Sequence, residues 1–410
     1  MTHFCLFYPL DYNPHIMPNQ APQFHLAWQI GIATLARFAL NTSRRFVYPF
    51  IPALSRGLSV PLTDVTALIA VNQATGLLSS LFGPLSDHWG YRRMMLIALA
   101  ALMLGMVAGG SLPFYSVMVL AVFLAGLGKS IFDPAIQAYV GERVPFQRRG
   151  LVIGITEFAW AASSLLGIPL AGLLIDRLGW RSPFWALGGL ALLSLVGLRL
   201  LFPADRPQQH HAGALTNFWA TWRLLGQEPA ALGAIGFSFL MSAANDNLFV
   251  VYGVWLEHDF GLVVLEVGLA TTVIGLAELL GETLTASLAD RLGLKRAVLL
   301  ALVLSTLSYL LLPVLAQTLP LALFGLFIIF LTFEFTIVTS MSLFTEILPG
   351  ARATMMSAYL AAAGLGRVTG ALAGGSIWLA GGLPAVCIVS AVISGLGLVS
   401  LSAGLRRWRS

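Results

Sequence analysis

Gly83-Pro-Leu-Ser-Asp87-His-Trp-Gly90-Tyr-Arg92-Arg93 links two apolar runs, and Ala286-Ser-Leu-Ala-Asp290-Arg-Leu-Gly293-Leu-Lys295-Arg296 links two others. The two aspartates are 203 positions apart (290 minus 87). A second pair follows the same rule. Glu142-Arg-Val-Pro145-Phe-Gln-Arg148 returns as Glu346-Ile-Leu-Pro349-Gly-Ala-Arg352, at 204 (346 minus 142). Asn41 and Tyr48 return as Asn245 and Tyr252, again at 204 (245 minus 41), and Gly172 falls opposite Gly375. Ordered pairs at nearly one offset imply a duplicated unit.

The material between these loops is apolar. Runs fall at about 25–53, 63–85, 94–112, 114–140, 151–174 and 182–202, then at about 230–256, 264–288, 296–315, 318–345, 353–378 and 382–404. A membrane-crossing helix needs roughly 20 apolar residues, so twelve such helices use up the chain. Of 410 residues, 58% are hydrophobic and 10% charged, with a mean hydropathy of +0.84. A water-soluble domain carries about 25% charged residues, so lipid must solvate much of this surface. The sequence therefore predicts an all-α membrane protein with two pseudo-symmetric six-helix bundles, at 25–202 and 230–404.

The remaining segments are short. Residues 1–24 hold Pro9, Pro14, Pro18 and Pro22 without a basic n-region, and read as a disordered leader with Met17 as an alternative start. Residues 203–229 form a polar linker with Phe218, Trp219 and Trp222. It is either a surface helix or a plain connection. A tail spans 405–410. With the N-terminus inside, 14 Lys/Arg lie in the inner connections and tail, against Arg56, Arg177 and Arg181 outside. That bias predicts both termini in the cytoplasm of an inner-membrane protein. The net charge of +5 sits in these loops, so nucleic acid is not an expected partner. Cys5 and Cys387 suggest neither a disulfide framework nor a metal site.

The segment Gly83–Arg93 resembles the G-x-L-x-D-R-x-G-x-R-R loop signature of the major facilitator superfamily, with His88 where the signature has Arg. The resemblance spans about 25–404. It implies a monomeric secondary transporter that alternately exposes a central site to the two sides of the membrane, with membrane lipids around it and no cofactor. It also implies a cytoplasmic gate, for which the residues are Asp87, Arg92, Arg93, Glu142, Arg148 and Arg149, with Asp290, Arg291, Arg296, Glu346 and Arg352 in the second repeat. The bland alternative is that these groups only tie loops and set topology. Drug–proton antiporters of the superfamily carry an Arg four residues before a Gly in the fourth helix, where this chain has Val122 before Gly126. They also carry a Gly-Pro pair in the fifth helix, interrupted here as Gly167-Ile168-Pro169.

Charges inside apolar runs are costly and usually functional. Glu278 and Glu282 are four apart and share a helix face. Close carboxylates repel in a dry site, which favours holding a proton. They are proton-coupling candidates, or else a structural pair held by Arg367 or an Arg of the first helix. Asp246 is a further proton candidate. It is expected to pair with an Arg of the first helix, either as a switch or as a permanent bridge. Asp133 is the last, with Lys129 four residues before it. The cavity and substrate candidates are Arg37, Asn41, Arg44, Arg45, Tyr48, Asn245, Phe249, Tyr252 and Arg367. The aromatic and amide members, with Phe38, could equally pack in the core or face lipid. Glu157 and Glu334 have no assigned role.

The expected function is proton-coupled export of a small organic molecule. Uptake of a sugar-like or carboxylate metabolite, or a sensor or scaffold that has lost transport, are the alternatives. An enzyme is not expected, because no nucleophile–base or metal constellation stands out. No G-x-x-x-x-G-K-[ST] loop occurs, so ATP is not implied.

Overall fold

A backbone in hydrocarbon must satisfy its own N–H and C=O groups, and a helix does so within one segment. In the computed structural model, which describes residues 23–144, 146–205, 225–348, 352–406 and 408, all regular structure is helical. The expected leader lies almost wholly outside the described residues, and so does most of the linker.

The first repeat comprises α1 (Gln23–Arg45), α2 (Ile51–Leu58), α3 (Leu62–Ala74), α4 (Ser79–Trp89), α5 (Tyr91–Ser111), α6 (Tyr115–Arg143), α7 (Phe146–Ala162), α8 (Ile168–Leu178) and α9 (Ser182–Leu201). The second comprises α10 (Pro229–Phe249), α11 (Tyr252–Phe260), α12 (Val264–Leu292), α13 (Leu294–Leu315), α14 (Leu319–Ile347) and α15 (Arg352–Gly404). Among the described residues, nine helical stretches are long and apolar enough to cross a bilayer, or ten with the bent pair Ile51–Leu58 and Leu62–Leu78. Non-helical Gly381 and Gly382 break α15 into two crossings. Arg37, Arg44 and Arg45 make α1 less apolar than its neighbours. The element order accommodates twelve crossings.

The backbone repeats as the sequence does. Among the described residues, every positive φ falls into one of three pairs. Gly90 (95°) matches Gly293 (80°), Gly179 (87°) matches Gly382 (59°), and Ser59 (56°) matches Gly261 (65°). The separations are 203, 203 and 202 (293 minus 90, 382 minus 179, 261 minus 59). At Gly90 and Gly293 this conformation ends one helix and starts the next without a spacer, and residues with a Cβ seldom adopt it.

The repeats meet tightly at one end. Gly172 lies against Gly268 and Phe50, Gly253 against the Pro49 backbone, and Gly375 against Thr66. Arg56 pairs with Glu257 across the same surface at 2.5 Å. The opposite end carries Gly90 and Gly293. There the Asp205 carboxylate accepts the backbone N–H groups of Arg92 (2.9 Å) and Arg93 (3.0 Å), capping α5. Lys295 donates to the Leu405 carbonyl at 2.7 Å. Within the second repeat, Gly366, Gly370 and Gly374 let α15 press onto α10.

A Cβ at Gly172 would sit 3.1 Å from the Phe50 ring, whereas one at Gly189 meets nothing within 4 Å. Gly172→Leu is expected to cost about 1–3 kcal/mol through overpacking and to lower the thermal unfolding midpoint. Gly189→Leu should leave it unchanged.

Candidate functional site

Between the repeats lies a cavity of about 460 Å³. Its floor is aromatic. Tyr48 stacks on Phe249 at 4.3 Å, Phe249 stacks on Tyr252 at 5.2 Å, and Phe330 meets Phe249 edge-on at 5.2 Å. The Tyr48, Phe249 and Tyr252 rings come from the places where the first helix of each repeat breaks, after Arg45 and after Phe249, and Phe330 comes from α14. They close the cavity toward the tightly packed end, each pair contributing about 0.5–1.5 kcal/mol beyond its burial. The walls grow more exposed in the other direction. Tyr48, Arg45 and Asp246 are buried, Glu282, Val338 and Met341 are half-buried, and the Glu157 side chain is 42% exposed. The cavity therefore opens toward the end that carries Gly90 and Gly293.

Three polar networks surround it. In the first, Arg37 bridges Asp133 at 3.2 Å and Glu157 at 2.7 Å, while Lys129 contacts Asp133 at 2.7 Å and Asn41 at 2.6 Å. Two cations meet two carboxylates within the first repeat. In the second, the Arg45 guanidinium grips Glu278 through two bonds, of 2.5 and 3.1 Å. Ser164 adds a third bond to Glu278 at 3.1 Å, and the Arg45 guanidinium lies 4.3 Å from the Trp160 ring centre. Ser164 sits in a π-helical turn, Ser163–Gly167, between α7 and α8. In the third, Arg44 donates to Gln73, Gln73 donates to the Tyr48 hydroxyl at 2.8 Å, and Tyr48 donates to Asp246 at 2.7 Å.

Two carboxylates stand apart. Glu282 and Glu334 line the cavity, and among the described residues neither has a hydrogen-bond or ion-pair partner. Glu334 packs against Gly281, one residue from Glu282, and Glu334, Glu282 and Glu278 repel one another. Arg367 also lines the cavity without an ion-pair partner among the described residues.

A family model described as the Major Facilitator Superfamily matches residues 33–253 and 235–407. The chain belongs to the major facilitator superfamily. Among similar superfamily transporters is the MFS-type transporter YceJ of Bacillus subtilis (strain 168). It is 28% identical, over 83% of this chain and 87% of that protein. A multi-drug resistance efflux pump PmrA homolog of Lactococcus lactis subsp. lactis (strain IL1403) is 24% identical, over 84% of this chain and 87% of that protein. The inner membrane transport protein YdhP of Escherichia coli (strain K12) is 24% identical, over 91% and 95%. A crystal structure of a mutant of the nucleoside transporter NupG superposes with a TM-score of 0.77 at 14% identity, covering 93% of this chain and 99% of that one. The superfamily fold, and a multi-pass membrane protein of a transporter family, follow.

Within that fold, the cavity gathers Arg44, Arg45, Tyr48, Asn245, Asp246, Phe249, Glu278, Glu282 and Arg367 from the residues singled out in the sequence. Four others are placed elsewhere. Arg37, Asn41 and Asp133 belong to the network within the first repeat, and Tyr252 donates or accepts a bond with Thr271 behind the floor. Phe38 lines a separate apolar pocket with Leu170 and Leu187. Asp246 receives a tyrosine hydroxyl where an arginine was expected, because Arg45 is turned toward Glu278 and Arg44 toward Gln73.

Of the gate residues, the side chains of Asp87, Arg148, Arg149, Asp290 and Arg352 lie outside the described residues. Arg92 donates to the Arg199 carbonyl at 2.6 Å, and Glu142 lies 3.7 Å from its neighbour Arg143. Sequence reasoning left Glu157 and Glu334 without roles and missed Gln73, Trp160, Ser164, Phe330 and Asp205. The two glutamates carry a usable signal, an acid within an apolar run. Gln73, Trp160, Ser164 and Phe330 look like ordinary helix residues, and Asp205 like an ordinary linker acid, until the spans are assembled.

The Arg45 and Glu278 side chains are 3% and 5% exposed. Removing one partner strands a buried charge at about 3–5 kcal/mol. Arg45→Met should lower the thermal midpoint sharply, and adding Glu278→Met should recover most of the loss. Equal loss in single and double variants would show that the pair is not coupled.

Proposed function

We propose that this transporter exports a small, partly apolar organic molecule across the inner membrane in exchange for protons, by alternating access, and that the described state is open to the cytoplasm. The observation that carries this reading is the pair of unpartnered carboxylates, Glu282 and Glu334, in the cavity. While the cavity is open, water solvates them. Closing it strips that water, and uncompensated charge in a dry site is costly. Two adjacent carboxylates raise the cost further. Glu282 faces Glu278 and Glu157, and Glu334 faces Glu278, Glu282, Arg45 and Arg367. Protons neutralise the pair and allow closure. A cargo that neutralises it does the same work, so the two compete.

The Arg45–Glu278 bridge joins α1 to α12, and Ser164 joins it from the π turn. A π turn is a single-turn irregularity found often at functional sites. It supplies slack where one repeat must shift against the other. Export is supported by the relative named as an efflux pump. The inner-membrane placement is supported by the basic residues clustered on the loops at the open end and by the relative named as an inner membrane transport protein.

Labelling of single cysteines in a Cys-free background tests this without knowing the cargo. Val338 lines the open side of the cavity and Thr66 lies at the closed end. Acidification should slow maleimide labelling of Val338→Cys and speed that of Thr66→Cys, several-fold. Glu282→Gln with Glu334→Gln should give the acid pattern at neutral pH. Labelling that ignores both pH and the double substitution would sink the proton-linked reading.

A further inference from the structure

We infer that the cargo is a zwitterion, with an apolar body between an anionic and a cationic end. This rests on the transport reading above and names the substrate class of the same cavity. The charged groups of the lining without an ion pair among the described residues include a cationic and an anionic cluster, which meet where Arg367 faces Glu334. One is cationic. Arg44 and Arg367 are close enough to repel, and neither makes an ion pair among the described residues. Arg44 donates to the neutral Gln73, and its buried Nε has no acceptor. Asp246 lies beside this cluster, accepts the neutral Tyr48 hydroxyl and offsets one of its two positive charges. The other cluster is anionic, made of Glu282 and Glu334, with Glu278 beside them and already neutralised by Arg45. The remaining lining is mostly apolar and aromatic, including Trp160, Phe249, Phe330 and Phe333, with Gln73, Asn245 and Glu157 as polar members.

A cation alone would leave Arg44 without an ion-pair partner when water is excluded, because Asp246 and Glu334 face Arg367 while Arg44 bonds only Gln73 among the described residues. An anion alone would leave Glu282 and Glu334 to be neutralised by protons bound together with it, which would drive cotransport. A carboxylate or phosphate-like group at the arginines, with an ammonium at the glutamates, satisfies both clusters. Paired guanidinium groups suit such an anion, since they present forked donors. The aromatic faces suit an apolar body and the approach of an ammonium. The ammonium and the protons then contend for the same two carboxylates, which is the linkage an exchanger needs. About 460 Å³ falls in the range of pockets that hold small organic ligands.

The test uses the purified full-length chain and charge-matched sets of probes. Each set is a free amino acid or dipeptide (leucine, tryptophan, leucyl-leucine), its amide and its N-acetyl derivative. Thermal unfolding reads binding at neutral and acid pH. Zwitterions are expected to raise the midpoint, with amides and N-acetyl derivatives binding about ten-fold weaker or worse, a difference of about 1.4 kcal/mol. Acid should weaken the zwitterion. Arg367→Gln should make a zwitterion and its amide equivalent, and Glu334→Gln should do so for the zwitterion and its N-acetyl derivative. The assignment is overturned if amides or N-acetyl derivatives bind as well as the zwitterion, if acid strengthens binding of an N-acetyl derivative, or if no probe shifts the midpoint. An intact acid response of Val338→Cys labelling would then leave the proton-linked carrier standing without this cargo. Loss of both would remove the carrier reading as well.

Discussion

Arg45 and Glu278 neutralise each other where water scarcely reaches, and the centre of the molecule is arranged around them. The guanidinium is fixed on one side by the Trp160 face and on the other by two bonds to the carboxylate, which Ser164 also holds. In a low-dielectric interior such a pair persists only when its hydrogen bonds are nearly complete. It fixes α1 against α12 and leaves the neighbouring acids, Glu282 and Glu334, without that arginine. The charge imbalance of the cavity follows from where this one bridge is made.

The rest of the architecture keeps the bridge at the boundary of a cavity. Small residues draw the repeats together at one end, and the stacked Tyr48, Phe249 and Tyr252 rings seal it. The opposite end is held by capping contacts within each repeat, such as Asp205 on α5 and Lys295 on the C-terminal carbonyls. A transporter needs one end firmly joined while the other admits solute, and contacts within a repeat survive a rocking motion that contacts between repeats do not.

The fold was legible because two strong signals agree. Apolar runs of spanning length mark the membrane-crossing helices, and the loops around Asp87 and Asp290 mark the duplication. The paired positive-φ positions give that duplication a backbone form, down to Gly90 and Gly293. Much of the cavity was legible too, since charges in apolar helices have few tolerable places. Partner choice was not. Arg45 bonds Glu278, which Ser164 of the π turn also holds, and Asp246 accepts Tyr48 instead. Helical spacing along one segment does not encode which partner on another helix a side chain meets. Glu334 escaped because its neighbours Glu278 and Glu282 lie on another helix, more than fifty positions earlier (334 minus 278).

The duplicated halves have divided their labour. In the first, Arg37 and Lys129 are already matched by Asp133 and Glu157, which leaves Arg44 as its buried cation without an ion pair among the described residues. In the second, Glu278, Glu282 and Glu334 outnumber the nearby cations, so its inner face stays electrically unfinished. The two copies thus differ in how far their buried charges are paired. On α12 and α14, one altered side chain would shift the field inside the cavity without dismantling the Arg37–Asp133–Lys129 ion network of the first repeat.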